Sequence, residues 1–215
     1  MTFADLFERA AAFDGDLDEA DVRSALDDVR SASDRDDGGS AGDAVADPID
    51  PTPARVVADA DAFAADLLVG GAARDALDAL RSHAWTTLVA SDPLLDDAEA
   101  VIASLSDADL AADWRDAVEA WREPVAQPPG DHPALASAYR GGAMQVVSLD
   151  PSLTGPGAAA GLRDRMPVSV REPRAFAAVF DPAKLYPDAV GGEYPGPDRD
   201  PRTMAAVDAG GDQHR

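Results

Sequence analysis

Four aspartates stand where one structural unit of this chain gives way to the next, and carboxylates so placed can do chemistry. Asp59 follows the apolar run ARVVA (54–58), and Asp97 lies within the helical pattern Leu94, Leu95, Ala98, Val101, Ile102 and Leu105. Asp131 precedes Pro133 where a helix should start, and Asp150 closes the apolar run from Met144 to Leu149. Each has a plain structural role open to it, as helix cap, turn residue or solvated surface acid. Gathered at one place they become something else. Crowded carboxylates repel one another and take up protons, so a cluster calls for a cation, and all-oxygen ligands suit Mg2+ or Mn2+. Such a centre favours phosphodiester hydrolysis, with the metal acidifying an attacking water and stabilising the leaving oxygen.

The elements that must position these acids follow from hydrophobic period and punctuation. The segment GDHPALASAYRGGAMQVVSLDPSL (130–153) reads as a helix with an apolar face of Ala134, Leu135 and Ala138. Gly141-Gly142 stops that helix, and a buried strand follows. Earlier, 54–58 is a strand, Phe63, Leu67 and Leu68 belong to a helix broken at Gly70-Gly71, and Ala73, Leu77 and Leu80 form another helical face. Trp85 to Ala90 is strand-like, Ser91 caps the Asp97 helix, and Leu110, Trp114, Val118 and Trp121 form a core-packing stripe. A last strand near Pro167 to Val170 leads to a helix with Phe176, Val179 and Phe180. Strands alternating with helices predict an α/β fold, a three-layer α/β/α sandwich with a mainly parallel central sheet. In such a sheet ligands bind at strand carboxyl ends, where these acids stand.

Composition narrows the setting. Asp and Glu number 41 against 18 Lys plus Arg, a net charge of −23, and Lys184 is the single lysine. Abundant Asp and Ala with almost no Lys resembles proteins of salt-accumulating halophiles, whose acidic surfaces keep them soluble. There is no cysteine, and His83, His132 and His214 are too scattered for a histidine metal cluster. The first residues carry acids where a signal peptide needs positive charge, and no run approaches ~18 apolar residues. The expectation is a cytoplasmic protein with no membrane segment.

Residues 1–30 read as a helical hairpin, with Phe3, Leu6, Phe7, Ala10 and Phe13 on one helix and Val22, Ala25, Leu26 and Val29 on the next. Its apolar stripe should pack on the core or on a second copy, as in a homodimer. Residues 31–53 read as a disordered linker, 54–187 as the α/β domain, and 188–215 as a disordered tail.

RVVADADAF, ASDPLLDDAEAVI and DHPALASAYRGGAMQVVSLD resemble the successive motifs of the PIN domain, a family of metal-dependent nucleases. The last motif is the most specific: Asp131, an alanine-rich helix, a small-residue turn, Val146-Val147, then Ser148 and Asp150. PVSVREPRAF is similar to the end of such a domain, and the resemblance spans Ala54 to Leu185. It implies that Asp59, Asp97, Asp131 and Asp150 are the catalytic metal ligands for Mg2+ or Mn2+, with Asp61, Ser148 and Glu99 in support. Asp97 stands where the family usually has Glu, with Asp96 and Glu99 as alternatives, and Asp61 stands where Asn or Ser is preferred. The implied activity is a ribonuclease acting on RNA; the alternative is a non-catalytic PIN-like binding or scaffold protein. Arg74, Arg140, Arg163, Arg165 and Arg171 are candidate phosphate contacts. The DADAF motif also matches the start of the haloacid dehalogenase pattern, but that chemistry needs a lysine before the last strand, and Lys184 lies beyond it.

Overall fold

The computed structural model describes residues 1–13, 15–33, 47–128, 130–163 and 166–207. The elements run α1 (Phe3–Ala10), α2 (Glu19–Ser33), β1 (Thr52–Ala58), α3 (Ala60–Leu68), α4 (Gly71–Arg81), β2 (Thr87–Ala90), α5 (Asp92–Leu105), α6 (Ala108–Glu119) and β3 (Glu123–Pro124). The chain continues through α7 (Pro133–Arg140), β4 (Ala143–Val147), α8 (Pro151–Thr154), α9 (Pro156–Arg163), β5 (Ser169–Arg171), α10 (Pro173–Val179) and α11 (Pro182–Ala189). All five strands are parallel, in the order β3-β2-β1-β4-β5, and helices flank the sheet as a three-layer α/β/α fold. The expected strands hold its centre. Val56, Val57, Ala58, Leu88, Val89, Ala90, Val146 and Val147 are all buried, as a parallel sheet covered on both faces requires. β3 carries no strand pattern in the sequence; it is two residues long and its proline sits at the sheet edge, where a missing donor is tolerated.

The topology decides where a site can form. Strands step outward from β1 through β2 to β3, and the chain then crosses back to lay β4 on the other side of β1. The carboxyl ends of β1 and β4 therefore flank a topological switch point. Ala58 is level with Val147, so Asp59 and Ser148 leave the sheet side by side. The turn feeding β4 demands glycine: Gly142 has φ 64°, and a Cβ there would lie 2.6 Å from the Asp50 carbonyl oxygen.

Within the segment read as a helical hairpin, 1–30, α1 and the greater part of α2 pack on the core of the sheet. Thr2 closes a capping box with Asp5 at the start of α1. Phe3, Leu6, Phe7, Ala10, Val22 and Leu26 are buried in the same core as the sheet, with α1 against α3 and α6 and α2 against α3 and α5. The apolar stripe is covered by the chain's own core. The reason is ionic as well as apolar: the guanidinium of Arg74 lies 3.4 Å from the Phe7 ring centroid, and that of Arg81 lies 4.6 Å from Phe3.

The expectation of a disordered tail from residue 188 is corrected as far as Val207. The Tyr194 hydroxyl and His83 Nε2 are 2.6 Å apart, Ala84 N–H donates to Asp198 Oδ1 at 2.7 Å, and Arg202 Nη2 pairs with Asp78 Oδ2 at 3.1 Å. Ala4 N–H donates to the Arg202 carbonyl at 3.0 Å, which ties the tail to the hairpin. Low hydrophobicity made the segment read as disordered, whereas backbone and aromatic contacts hold it. Most of the expected linker, 34–46, and the last residues, 208–215, lie outside the described residues; Ile49 N–H donates to the Arg140 carbonyl at 3.0 Å.

Candidate functional site

The switch point assembles three carboxylates, one hydroxyl and one guanidinium. Asp59 ends β1 and caps α3, its Oδ1 accepting from Ala60 N–H at 2.8 Å while its own N–H donates to Val147 O at 2.8 Å. Two residues on, in the first turn of α3, Asp61 is fully buried; its Oδ2 accepts from Leu149 N–H at 3.0 Å. Between them lies Ser148, whose hydroxyl is 3.0 Å from Asp59 Oδ2 and 3.3 Å from Asp61 Oδ2 and accepts from Asp150 N–H at 3.1 Å. One hydroxyl proton cannot serve both acids. Among the described residues Asp61 Oδ1 is left buried with no hydrogen-bond partner.

Arg30, in the last turns of α2, supplies the balancing charge. Its Nη2 donates to Asp59 Oδ1 at 3.0 Å, its Nε donates to Asp97 Oδ2 at 2.9 Å, and its Nη1 lies 3.2 Å from His132 Nε2. The Arg30 side chain is 24% exposed, Asp97 15% and Asp59 0%, so the pairs are shielded from bulk water. Burial works against the Arg30 charge, but Asp59 and Asp97 outweigh it and hold its pKa above the ordinary value. Burial pushes the Asp61 carboxyl well above its ordinary value, and the neighbouring Asp59 charge adds to the rise. Asp97 is raised by burial, with Arg30 pulling the other way. His132 is lowered, again first by burial, against the charges of Asp59, Asp150 and Asp97. One guanidinium does not neutralise this group of acids.

Of the acids that the sequence nominated, Asp59 and Asp97 share Arg30, and Asp61 shares the Ser148 hydroxyl with Asp59. Asp150 sits beside them through its N–H, while its carboxylate caps α8, accepting from Ser152 N–H at 2.7 Å and Ser152 Oγ at 2.8 Å. Asp131 is different. The cap of α7 is His132, so Asp131 falls outside the first turn; it is exposed, and its carboxylate makes none of the bonds that join Asp59, Asp61 and Asp97. The α5 register also separates the neighbouring acids. Asp96 and Glu99 face Arg115, at 2.7 Å and 3.5 Å, whereas Asp97 faces Arg30.

The candidate phosphate contacts divide in the same way. Arg74 is tied to Asp66, with Nε to Oδ1 at 3.2 Å, and lies against Phe7, far from a free surface role. Arg140 is in the last turn of α7, a helix that starts at the site, so it belongs to the opposite end of the sheet. The Arg163 side chain and Arg165 lie outside the described residues. Arg171 ends β5, where its carbonyl accepts Ser148 N–H at 3.0 Å, while its Nη1 lies 3.4 Å from Gln145 Oε1, so its backbone rather than its charge adjoins the site. Arg30 was not anticipated. Its signal was present: Val22, Leu26 and Arg30 recur at four-residue spacing, placing a cation on the inward face of α2.

A family model for a family of unknown function, DUF7384, matches residues 50–202. The chain belongs to that family. The matched segment contains Asp59, Asp61, Asp97, Ser148 and Asp150 but neither α1 nor α2, so Arg30 lies outside it. No curated protein and no solved structure matches the chain.

Among the described residues no group of three or more His, Asp or Glu side chains stands in a metal-binding arrangement, and the space between Asp59 and Asp97 is bridged by Arg30. The donor set nonetheless fits a hard divalent cation in its chemistry. It is all-oxygen, over-supplied with carboxylates, and includes the unpartnered Asp61 Oδ1.

Proposed function

We propose that this chain is a Mg2+- or Mn2+-dependent ribonuclease of PIN type, with Asp59, Asp97 and Asp150 as the acids of the metal centre and Asp61 close behind them. The observation that carries the reading is the convergence of Asp59, Asp61 and Asp97 at the β1–β4 switch point, with Asp61 Oδ1 buried and unpartnered. Crowded acids whose pKa values are raised by burial and by one another are the arrangement a cation relieves. A bound divalent ion would supply water activation and stabilisation of the leaving oxygen. The chain's own residues supply position. The Ser148 hydroxyl lies between Asp59 and Asp61 and can donate to one of them at a time, and the Asp59 cap on α3 leaves that carboxylate at the strand end.

RNA is a demanding partner for a protein of charge −23. In molar salt the Debye length is about 3 Å, so distant surface acids are screened and local contacts decide. The setting we propose is a salt-rich cytoplasm. Among the described residues no helix is long and apolar enough to cross a membrane, and with the hairpin stripe buried in its own core the proposal needs no second copy. A second reading, a non-catalytic scaffold, is favoured by one observation: Arg30 already pairs with both Asp59 and Asp97.

The test is calorimetric titration of the full chain with Mn2+ up to millimolar concentration in molar KCl, alongside RNA cleavage under the same conditions. The expected result is site-specific Mn2+ binding and cleavage, both lost in Asp97→Asn and Asp150→Asn while the thermal melt stays cooperative. Heat of binding that survives both substitutions, or no binding at all, hands the case to the scaffold.

A further inference from the structure

We propose that the N-terminal hairpin is an autoinhibitory plug, with the Arg30 guanidinium held in the cation position of the acidic site and α2 as the part that moves. This rests on the metal-site reading above and adds its regulation. Three nitrogens of one side chain engage three groups of the site: Asp59 at 3.0 Å, Asp97 at 2.9 Å and His132 at 3.2 Å. A group so placed excludes both a metal ion and a phosphate from the same oxygens. It is also an imperfect substitute, because a single positive charge leaves Asp61 Oδ1 buried and unpartnered. A divalent ion therefore competes with Arg30 from a position of advantage in charge.

The two helices of the hairpin are anchored unequally, which is what a movable plug requires. Four of the eight α1 residues are buried, and α1 is further held by the Arg74 and Arg81 guanidinia over Phe7 and Phe3. In α2 two of fifteen residues are buried, Val22 and Leu26, and residues 31–33 beyond Arg30 are exposed. Lifting the last turn of α2 uncovers Val29 and leaves Leu26 and Val22 seated in the core, while α1 stays docked. The family match points the same way: residues 50–202 include every acid of the site, and the plug lies in the segment before them. When the competent state is a minor one, apparent affinity falls in proportion to its population. Wild-type metal affinity is set by how often α2 lifts.

The experiment compares the full-length wild type with Arg30→Met, which keeps the aliphatic stem and removes the charge, by Mn2+ calorimetry in molar KCl. It is paired with hydrogen exchange of the wild type with and without Mn2+. Arg30→Met should bind Mn2+ about tenfold more tightly or better, the affinity expected if the open state is about a tenth populated or less. In the wild type, saturating Mn2+ should speed amide exchange in residues 26–33 and leave α1 protected. Equal affinity in wild type and Arg30→Met, with Asp97→Asn abolishing binding in both, overturns the plug and leaves the metal site standing. If neither protein binds Mn2+, the metal-site reading fails and the plug falls with it. Should Arg30→Met fail to fold, the wild-type exchange experiment decides: unchanged α2 protection at saturating Mn2+ overturns the proposal.

Discussion

Replacing Arg81 by Met should cost the protein a large part of its stability. Arg81 is fully buried, with Nη1 and Nη2 each 2.8 Å from the two oxygens of Asp66, which is 1% exposed, and Nη2 2.7 Å from Asp78 Oδ1. Its guanidinium also lies within 4.6 Å of the Phe3 centroid and 5.5 Å of Trp121. Methionine fills most of the length but leaves the Asp66 charge in the core with Arg74 Nε, at 3.2 Å, as its remaining cation. Stranding one partner of a buried pair costs about 3–5 kcal/mol. For a chain of this size each kcal/mol shifts the melting point by about 2–4 °C, so the expected drop is roughly 6–20 °C. Circular dichroism melts in molar KCl at fixed pH measure it, and salt should change the difference little because the pair is buried. The double variant Arg81→Met with Asp66→Leu should recover most of the loss, since apolar replacement of both partners is often neutral or better. A loss under about 1 kcal/mol, or a double variant no more stable than the single one, would show that this network does not hold the hairpin to the core.

Other expectations concern the site, the turn and the tail. The folded pKa of Asp61 is raised from an ordinary 3.8, so its contribution to stability is full below that value and is lost as pH rises through the folded pKa. The difference in stability between Asp61→Asn and wild type should therefore grow in favour of the variant as pH rises through that window; a flat difference from acid to neutral pH refutes the assignment. Gly142→Ala should destabilise by at least 1 kcal/mol, about the cost of a strained positive-φ residue, because φ is 64° and the new methyl meets the Asp50 carbonyl. An unchanged urea midpoint would contradict that geometry. Truncation after residue 187 should lower the melting point measurably, since it removes Tyr194 from His83 and Arg202 from Asp78. A tail that contributes nothing would melt identically when removed.

Much of this molecule was legible in one dimension. Apolar-rich runs of five or six residues mark β1, β2 and β4 because a strand buried on both faces needs apolar side chains. The helical period of α3 to α7 is as direct, and an acid after each central strand locates Asp59 and Asp150 at the carboxyl edge. What the sequence could not supply is which side chains share a point. The choice of Asp97 over Asp96 and Glu99 depends on helix phase against a neighbour, and three acids within about one turn look alike until Arg115 and Arg30 claim different faces. Asp131 stands one residue before the α7 cap, His132, and is exposed, a placement that turns on a one-residue shift in the helix start. The two-residue β3 has no period to read. Arg30 is the clearest case: 29 residues from Asp59 and 67 from Asp97 along the chain, it meets both only because the hairpin folds back over α3 and α5. Local pattern determines elements through backbone and solvent, whereas a charge finds its partners through packing at long sequence separation, and that is decided in the tertiary structure alone.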